Sequence, residues 1–326
     1  MHRFARSLLA ALLASAPISA ALAADAWPNK PIRLIVAYPA GGGLDFVTRA
    51  VGQRLSEVLG QQVVVDNRSG ASGSIGADAV ARSAPDGYTL LMASPAEIVV
   101  GPAAGQKVPY NPQSDFVPIA LAGETPLVIV INPAVPAKDL AGFVAYAKAN
   151  PGKLNYGTPG TGSSMQFAGE AFNAGLGTQI QHVPYRGAAP AIADALGNQV
   201  PMAIVGMPPT VGAVKAGKLR AIAVTSLKRS AVMPDVPAVN ELNGMGDYRF
   251  TNWMGLFAPA KTPPAIVERI GAEVAKMMQN PVMRQRLLDA GVDPQGMRGN
   301  EFVDFLKAER QRYNKVAAER GIKFEE

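Results

Sequence analysis

The chain has 326 residues, with 31 lysines and arginines against 25 acids and a formal charge of +6. It has no cysteine, which excludes disulfides and thiolate chemistry, and its mild, dispersed positive charge argues against nucleic acid as a partner. A chain this long exceeds what one hydrophobic core usually organises, so two domains are expected.

Residues 1-24 read as a cleaved export signal. Arg3 and Arg6 precede the apolar run Leu8 to Leu13, and a small-residue stretch ends at Ala21-Leu22-Ala23. The run is too short to span a bilayer and no longer apolar stretch follows, so the mature chain is expected to be soluble and to work outside the cytoplasm. Cleavage leaves 29 basic residues against 25 acidic ones, a net +4.

Short apolar or β-branched runs at 32–37, 62–66, 88–93, 126–131, 180–184, 200–205 and 219–225 read as strands, most of them followed by a helical pattern. Such alternation predicts an α/β protein with mainly parallel sheets and helices on both faces. After the first strand, Val47, Val51, Leu55 and Val58 mark one buried face of a helix. A second glycine-rich stretch, "DNRSGASGSIGADAVA", leads into a helix at about Ile75 and is either a plain loop or a support for the first. In "KTPPAIVERI", Thr262 suits a helix N-cap and Pro263 the first helical position, with Ile266, Ile270 and Val274 along one side. The last helix, Glu301 to about Arg320, carries Phe302, Phe305 and Leu306 on one side and is expected to pack on the outside of a domain.

One pattern occurs twice, in "LIVAYPAGGGLD" and "LNYGTPGTGSSMQFAGEAF". Each is strand, Pro/Gly loop, helix, which places a helix N-terminus at the carboxyl end of a strand, where open α/β sheets hold ligands. Unpaired backbone N–H groups there, with glycines that allow close approach, suit an anion. Neither loop has the spacing of a phosphate-binding P-loop or a dinucleotide site, so a carboxylate fits better than a nucleotide. The alternative is that Gly41 to Gly43 simply make a tight strand-to-helix turn. Asp45 either complements the helix dipole, or orients loop N–H groups or bonds a ligand hydroxyl, amine or water.

Catalytic constellations are scarce. His182 is the only imidazole after the signal, it lies in the strand "QIQHVPY", and no Gly-x-Ser-x-Gly elbow accompanies it. Histidine and cysteine metal clusters cannot be assembled, and no calcium loop is present. No catalytic residue, metal or cofactor is therefore assigned.

With the export signal, "WPNKPIRLIVAYPAGGGLDFVTRAVGQRLSEVLGQQVVVDNRSGASGSIGADAVARSAPDGYTLLMAS" resembles the start of the extracytoplasmic solute receptors of tripartite tricarboxylate transporters, the Bug receptors. The resemblance continues through "NYGTPGTGSSMQFAGEAF", "HVPYRGAAPAIADALGNQVPMAI", "AGKLRAIAVTSLKRSAVMPDVPAVNE" and "NWMGLFAPAKTPPAIVERI", and covers almost all of the mature chain. It implies a two-domain periplasmic-binding-protein fold of type II-like, Venus-flytrap form. Domain 1 would be residues 25–124 plus 250–326 and domain 2 residues 125–249. The chain would cross at about Glu124 to Pro126 and Arg249 to Trp253, putting Trp253 near the hinge.

The resemblance also implies a periplasmic protein that binds a small organic carboxylate by closing its domains and delivers it to a membrane permease, as a monomer and not as an enzyme. A sensor that signals without transport is the alternative, and a secreted hydrolase a third reading. The first-domain clamp would be Tyr38, Pro39, Ala40, Gly41, Gly42 and Asp45, with Ser94 beside it. The second would be Thr158, Gly160, Thr161, Gly162, Ser163 and Ser164, with Tyr185, Arg186 and Gly187. Arg186 either pairs with a carboxylate or is a solvated loop arginine. Relatives commonly have threonine, histidine and a Phe-Asp pair where this chain has Leu44, Gln166 and Val205. Those departures remove polar partners, so an aromatic or branched carboxylate is expected over citrate.

Overall fold

A computed structural model describes residues 27–323. The export signal read at residues 1–24 lies outside them. In chain order the first elements are β1 (Ile32–Val36), α1 (Gly43–Leu59), β2 (Val63–Asn67), α2 (Ser74–Ala81), β3 (Thr89–Ala93), α3 (Gly101–Ala103) and β4 (Phe116–Ile131). There follow α4 (Leu140–Ala149), β5 (Asn155–Thr158), α5 (Ser164–Leu176), β6 (Gln181–Pro184), α6 (Ala188–Leu196), β7 (Met202–Gly206), α7 (Val211–Lys215) and β8 (Arg220–Val224). The chain ends with β9 (Thr251–Pro259), α8 (Pro264–Gln279), α9 (Pro281–Asp289), β10 (Asp293–Pro294) and α10 (Gly299–Arg320).

The strands run in the order β2-β1-β3-β9-β4-β7-β5-β6, with β8 and β10 also on β4. β1 pairs in parallel with β2 and β3, and β5 in parallel with β6 and β7. The middle differs from the parallel expectation, because β4 is antiparallel to β7, β8, β9 and β10, and β3 is antiparallel to β9. β4 creates this centre. Its first part pairs with β9 from Phe116 to Pro126, and its second part pairs with β7 and β8 from Leu127 or Val128 onward. One strand thus belongs to two lobes.

Helices cover both faces of each lobe. In the first, the apolar stripe of α1 (Val47, Val51 and Leu55) packs with Ile270 and Val274 of α8 over one face, under Ile32 and Leu34 of β1. Ala77 and Val80 of α2 lie on the other face with Ile35. α2 approaches the end of β1 so closely that a Cβ on Gly76 would stand 2.8 Å from Ala37 Cα and 2.9 Å from the Arg68 carbonyl oxygen. In the second lobe Phe167 and Phe172 of α5 share the core of the first lobe's α2 face, and Ala191 and Ile192 of α6 cover the opposite face.

Two helices depart from expectation. α8 begins one residue late: Pro263 occupies the cap, Pro264 the first turn, and the Thr262 hydroxyl donates backward to the Pro259 carbonyl at 2.8 Å. α10 does not lie on the outside of one domain but crosses both lobes. Phe302 and Phe305 stack with Phe257 and Trp253 of β9, whereas Tyr313 meets Phe167 of α5 edge to face at 5.0 Å. Near its end Arg320 pairs with Glu170 of α5 at 2.8 Å.

The lobes also share a buried polar cluster where β4 and β9 run side by side, with Glu124 opposite Trp253 and Pro126 opposite Thr251. Arg249 donates to Glu124 at 2.6 Å, Thr251 to the same oxygen at 2.9 Å, and Gln295 to the other oxygen at 2.9 Å. The Arg249 guanidinium lies over the Phe305 ring at 4.4 Å. Trp253 donates its indole N–H to the buried Glu309 carboxylate at 3.1 Å, and Arg312 donates to the other oxygen of Glu309.

Candidate functional site

The carboxyl ends of β1 and β5 open on one cavity of about 680 Å³ between the lobes. From β1 it is lined by Tyr38, Pro39, Ala40, Gly42, Gly43 and Leu44, and from the β5 side by Gly162, Ser163, Ser164 and Met165. Ser94 and Ala96 follow β3, Pro208 and Pro209 follow β7, and Thr125, Asn252, Trp253 and Met254 come from the paired strands β4 and β9. No charged side chain of the described residues lines it.

The two glycine loops are braced alike. In the first, Gly41 takes φ +88°, a left-handed turn that strains any residue with a Cβ, and its N–H donates to Asp45 Oδ2 at 2.9 Å. In the second, the Gly162 N–H donates to Gln166 Oε1 at 2.7 Å, again a glycine bonded to the side chain four residues on. The Ser163 hydroxyl donates to the Gly160 carbonyl at 2.7 Å and accepts from the Gln166 N–H, capping α5. Behind this cap Thr158 Oγ1 contacts His182 Nε2 at 2.7 Å, so the histidine supports the loop. With both turns held from behind, the first residues of α1 (Gly43 and Leu44) and of α5 (Ser164 and Met165) all line the cavity, and the first N–H groups of a helix have no carbonyl four residues back.

Asp45 serves the brace and not the cavity. Arg49 Nε donates to it at 2.9 Å and Asn67 Nδ2 at 2.9 Å, while the same Asn67 amide holds the Tyr38 carbonyl at 3.0 Å. Burial raises the Asp45 pKa, but the Arg49, Gly41 and Asn67 donors outweigh it and hold the carboxyl below its usual range. Gly41 also stays behind the lining as the turn itself.

On the other side Thr158, Gly160 and Thr161 shape the second loop without reaching the lining. Tyr185 and Gly187 pack behind that loop: the Tyr185 N–H bonds the Thr158 carbonyl at 2.9 Å, its hydroxyl donates to Asp194 at 2.7 Å, and the Gly187 N–H bonds the Pro159 carbonyl at 3.0 Å. Arg186 is exposed and does not line the cavity. Of the departures read from the sequence, Leu44 lines the cavity, Gln166 braces its loop, and Val205 is wholly buried in the core under α6.

Sequence reasoning missed Glu97. Its carboxylate is fully buried immediately behind the cavity wall, in a single wide helical turn, Ala96–Val100. Ser94 donates its N–H to Oε1 at 2.7 Å and its hydroxyl to Oε2 at 2.6 Å, and the Tyr38 hydroxyl donates to Oε2 at 3.0 Å. Burial pushes the Glu97 pKa up to about 7 against the pull of these donors, and burial beside Glu97 raises Tyr38 well above a usual phenol. The available signal was an acid inside the apolar run "PAEIVVG". Thr125, Asn252 and Met254 were also missed, because they reach the cavity through strand pairing across distant sequence.

A cleft between two α/β lobes, crossed by paired strands and floored by helix N-termini, defines a solute-binding protein of the two-domain periplasmic type. Residues 47–322 match the tripartite tricarboxylate transporter family receptor model, and the chain belongs to that family. It is 35% identical over 318 residues to protein BugT of Bordetella pertussis, covering 97% of each chain. A solved R. palustris protein with adipate is 32% identical, with a TM-score of 0.76 over 91% of this chain and 99% of that one. MatC from Rhodopseudomonas palustris, with bound malate, is 30% identical, with a TM-score of 0.70 over 89% of this chain and 99% of that one. The family is one of transporter receptors and not of enzymes. No helix among the described residues is long and apolar enough to cross a membrane.

Proposed function

We propose that this protein is a periplasmic receptor that holds a small organic carboxylate between its lobes and presents it to the membrane permease of a tripartite tricarboxylate transporter. The observation that carries the reading is the pair of braced glycine loops, each ending a strand and opening a helix, at one cavity whose lining has no charged side chain. Such a cavity stabilises an anion with backbone N–H groups and helix dipoles, each hydrogen bond to a charged group contributing about 1.5 to 3 kcal/mol. Adipate and malate in two relatives support this ligand class. The export signal pattern supports the compartment.

Leu44, Met165 and Met254 favour a ligand with an apolar body over citrate, whose several charges would find neutral and apolar surroundings. Among the described residues the domains are 27–124 with 250–323, and 125–249. Closure would bend the chain where β4 changes partners at Pro126 and Leu127 and where β9 begins at Thr251. A domain movement of this kind gives a permease two states to distinguish.

Thermal unfolding of residues 25 to 326 against aliphatic and aromatic mono-, di- and tricarboxylates, amino acids and nucleotides tests the reading. A ligand at 100 times its dissociation constant stabilises the native state by about 2.7 kcal/mol. Shifts confined to certain carboxylates are expected, with citrate among the weaker ones. Shifts with nucleotides alone would overturn the proposal.

A further inference from the structure

The cavity wall formed by Tyr38 and Ser94 has an unusual polarity. Both residues line the cavity, and both direct their hydroxyl protons onto Glu97 Oε2, at 3.0 and 2.6 Å. The Tyr38 hydroxyl has two further neighbours, Ser94 Oγ at 3.1 Å and the Ser72 carbonyl at 3.4 Å, and Ser94 Oγ also accepts from the Ala96 N–H at 3.3 Å. Glu97 forms no ion pair among the described residues. Its backbone carbonyl is occupied by the Tyr110 hydroxyl at 2.9 Å. A serine or tyrosine whose proton is committed to a carboxylate presents lone pairs to whatever stands in front of it. Above about pH 7, where the carboxyl is ionised, its negative charge in a low-dielectric wall reinforces that preference.

We infer that Glu97 is a positioning residue for specificity: through Tyr38 and Ser94 it makes one end of the cavity an acceptor, which selects a carboxylate bearing a hydroxyl, amide or amine at a second position. The same wall disfavours a second carboxylate there. This rests on the carboxylate reading of the cleft, since the glycine loops must take the acid group for the Tyr38 wall to meet the rest of the ligand. The ligand class is thereby a monocarboxylate with an apolar middle, facing Leu44 and Met254, and a hydrogen-bond donor beyond it.

The test uses two matched series at pH 8, measured by titration calorimetry. The first is hexanoate, ω-hydroxyhexanoate, ω-aminohexanoate and adipate; the second is benzoate, para-hydroxybenzoate, para-aminobenzoate and terephthalate. In the unaltered protein the donor-bearing member of a series is expected to bind at least about tenfold tighter than both the plain acid and the diacid. Glu97→Gln is expected to bring the donor preference to within about threefold, because the amide no longer fixes both hydroxyl protons. A purely structural role would weaken all members of a series in proportion and leave their ratios unchanged. Tyr38→Phe and Ser94→Ala each remove one acceptor while keeping Glu97, and each is expected to lower the same ratio if Glu97→Gln does not fold. A diacid that binds tightest, or ratios that survive all three substitutions, overturns the inference and leaves the carboxylate receptor standing. Failure of every member of both series to bind overturns the inference if other carboxylates of the wider panel still shift unfolding, and failure of every carboxylate of that panel overturns the carboxylate reading itself.

Discussion

Replacing Glu97, whose carboxylate accepts three hydrogen bonds, by glutamine should remove a loss of stability that the parent suffers as pH rises. The carboxyl is fully buried and its pKa is pushed up to about 7 from an ordinary 4.5, chiefly by burial. Between those values the folded protein holds a proton that the unfolded chain has lost. Stability therefore falls as pH rises through this window, and the loss is complete above about 7. That displacement of the pKa corresponds to about 3 kcal/mol. The titratable groups facing the carboxyl are Tyr38 and Tyr110, both raised by burial and Glu97, so they stay protonated throughout. Asp293, whose pKa burial raises to about 6, has the same sign but is present in both proteins and cancels. Glutamine does not titrate, and whatever its altered hydrogen bonds cost is independent of pH. Urea unfolding at pH 4.5 and pH 8 should show the Glu97→Gln variant gaining about 3 kcal/mol relative to the parent between the two conditions. A stability difference that stays constant across the range would refute the assignment of a strained, buried carboxylate behind the cavity.

Three further outcomes are expected. Arg249→Met strands the buried Glu124 carboxylate with Thr251 and Gln295 alone and should cost about 3 to 5 kcal/mol in urea unfolding, much of it recovered when Glu124→Gln is added. Gln166→Ala frees the Gly162 N–H and should weaken carboxylate binding about tenfold while lowering unfolding stability by only about 1 kcal/mol, as calorimetry and urea unfolding would show together. Arg186→Ala should leave carboxylate affinity within about twofold in the same titration, because the side chain is exposed and outside the cavity; a large loss would place it in the site after all.

The parts of the molecule visible in the sequence are those fixed by local periodicity. The buried stripe Val47, Val51 and Leu55 of α1 and the repeated strand-loop-helix pattern both came from neighbouring residues, and the repeat extends to the matched braces Gly41 to Asp45 and Gly162 to Gln166. What escaped depends on distant pairing. The first part of β4 was hidden because Pro118 and Gly123 interrupt its apolar run, and they sit at its two register shifts. β9 was read as a motif near a crossing, although its residues pair with both β3 and β4. α10 showed its apolar face, but nothing in that face says that Phe302 and Tyr313 belong to different lobes. Arg186 is the one cation in the sequence motifs of the second loop, whereas no charged side chain lines the cavity, and the acid behind its wall is concealed in an apolar segment.

The most direct test is a crystal structure of residues 25 to 326 with the tightest-binding carboxylate of the panel. The account predicts closed lobes, with the carboxylate oxygens bonded by backbone N–H groups at the starts of α1 and α5 and by the hydroxyls around them. A carboxylate held by Arg186 or another charged side chain, or one bound outside the cleft, would contradict it.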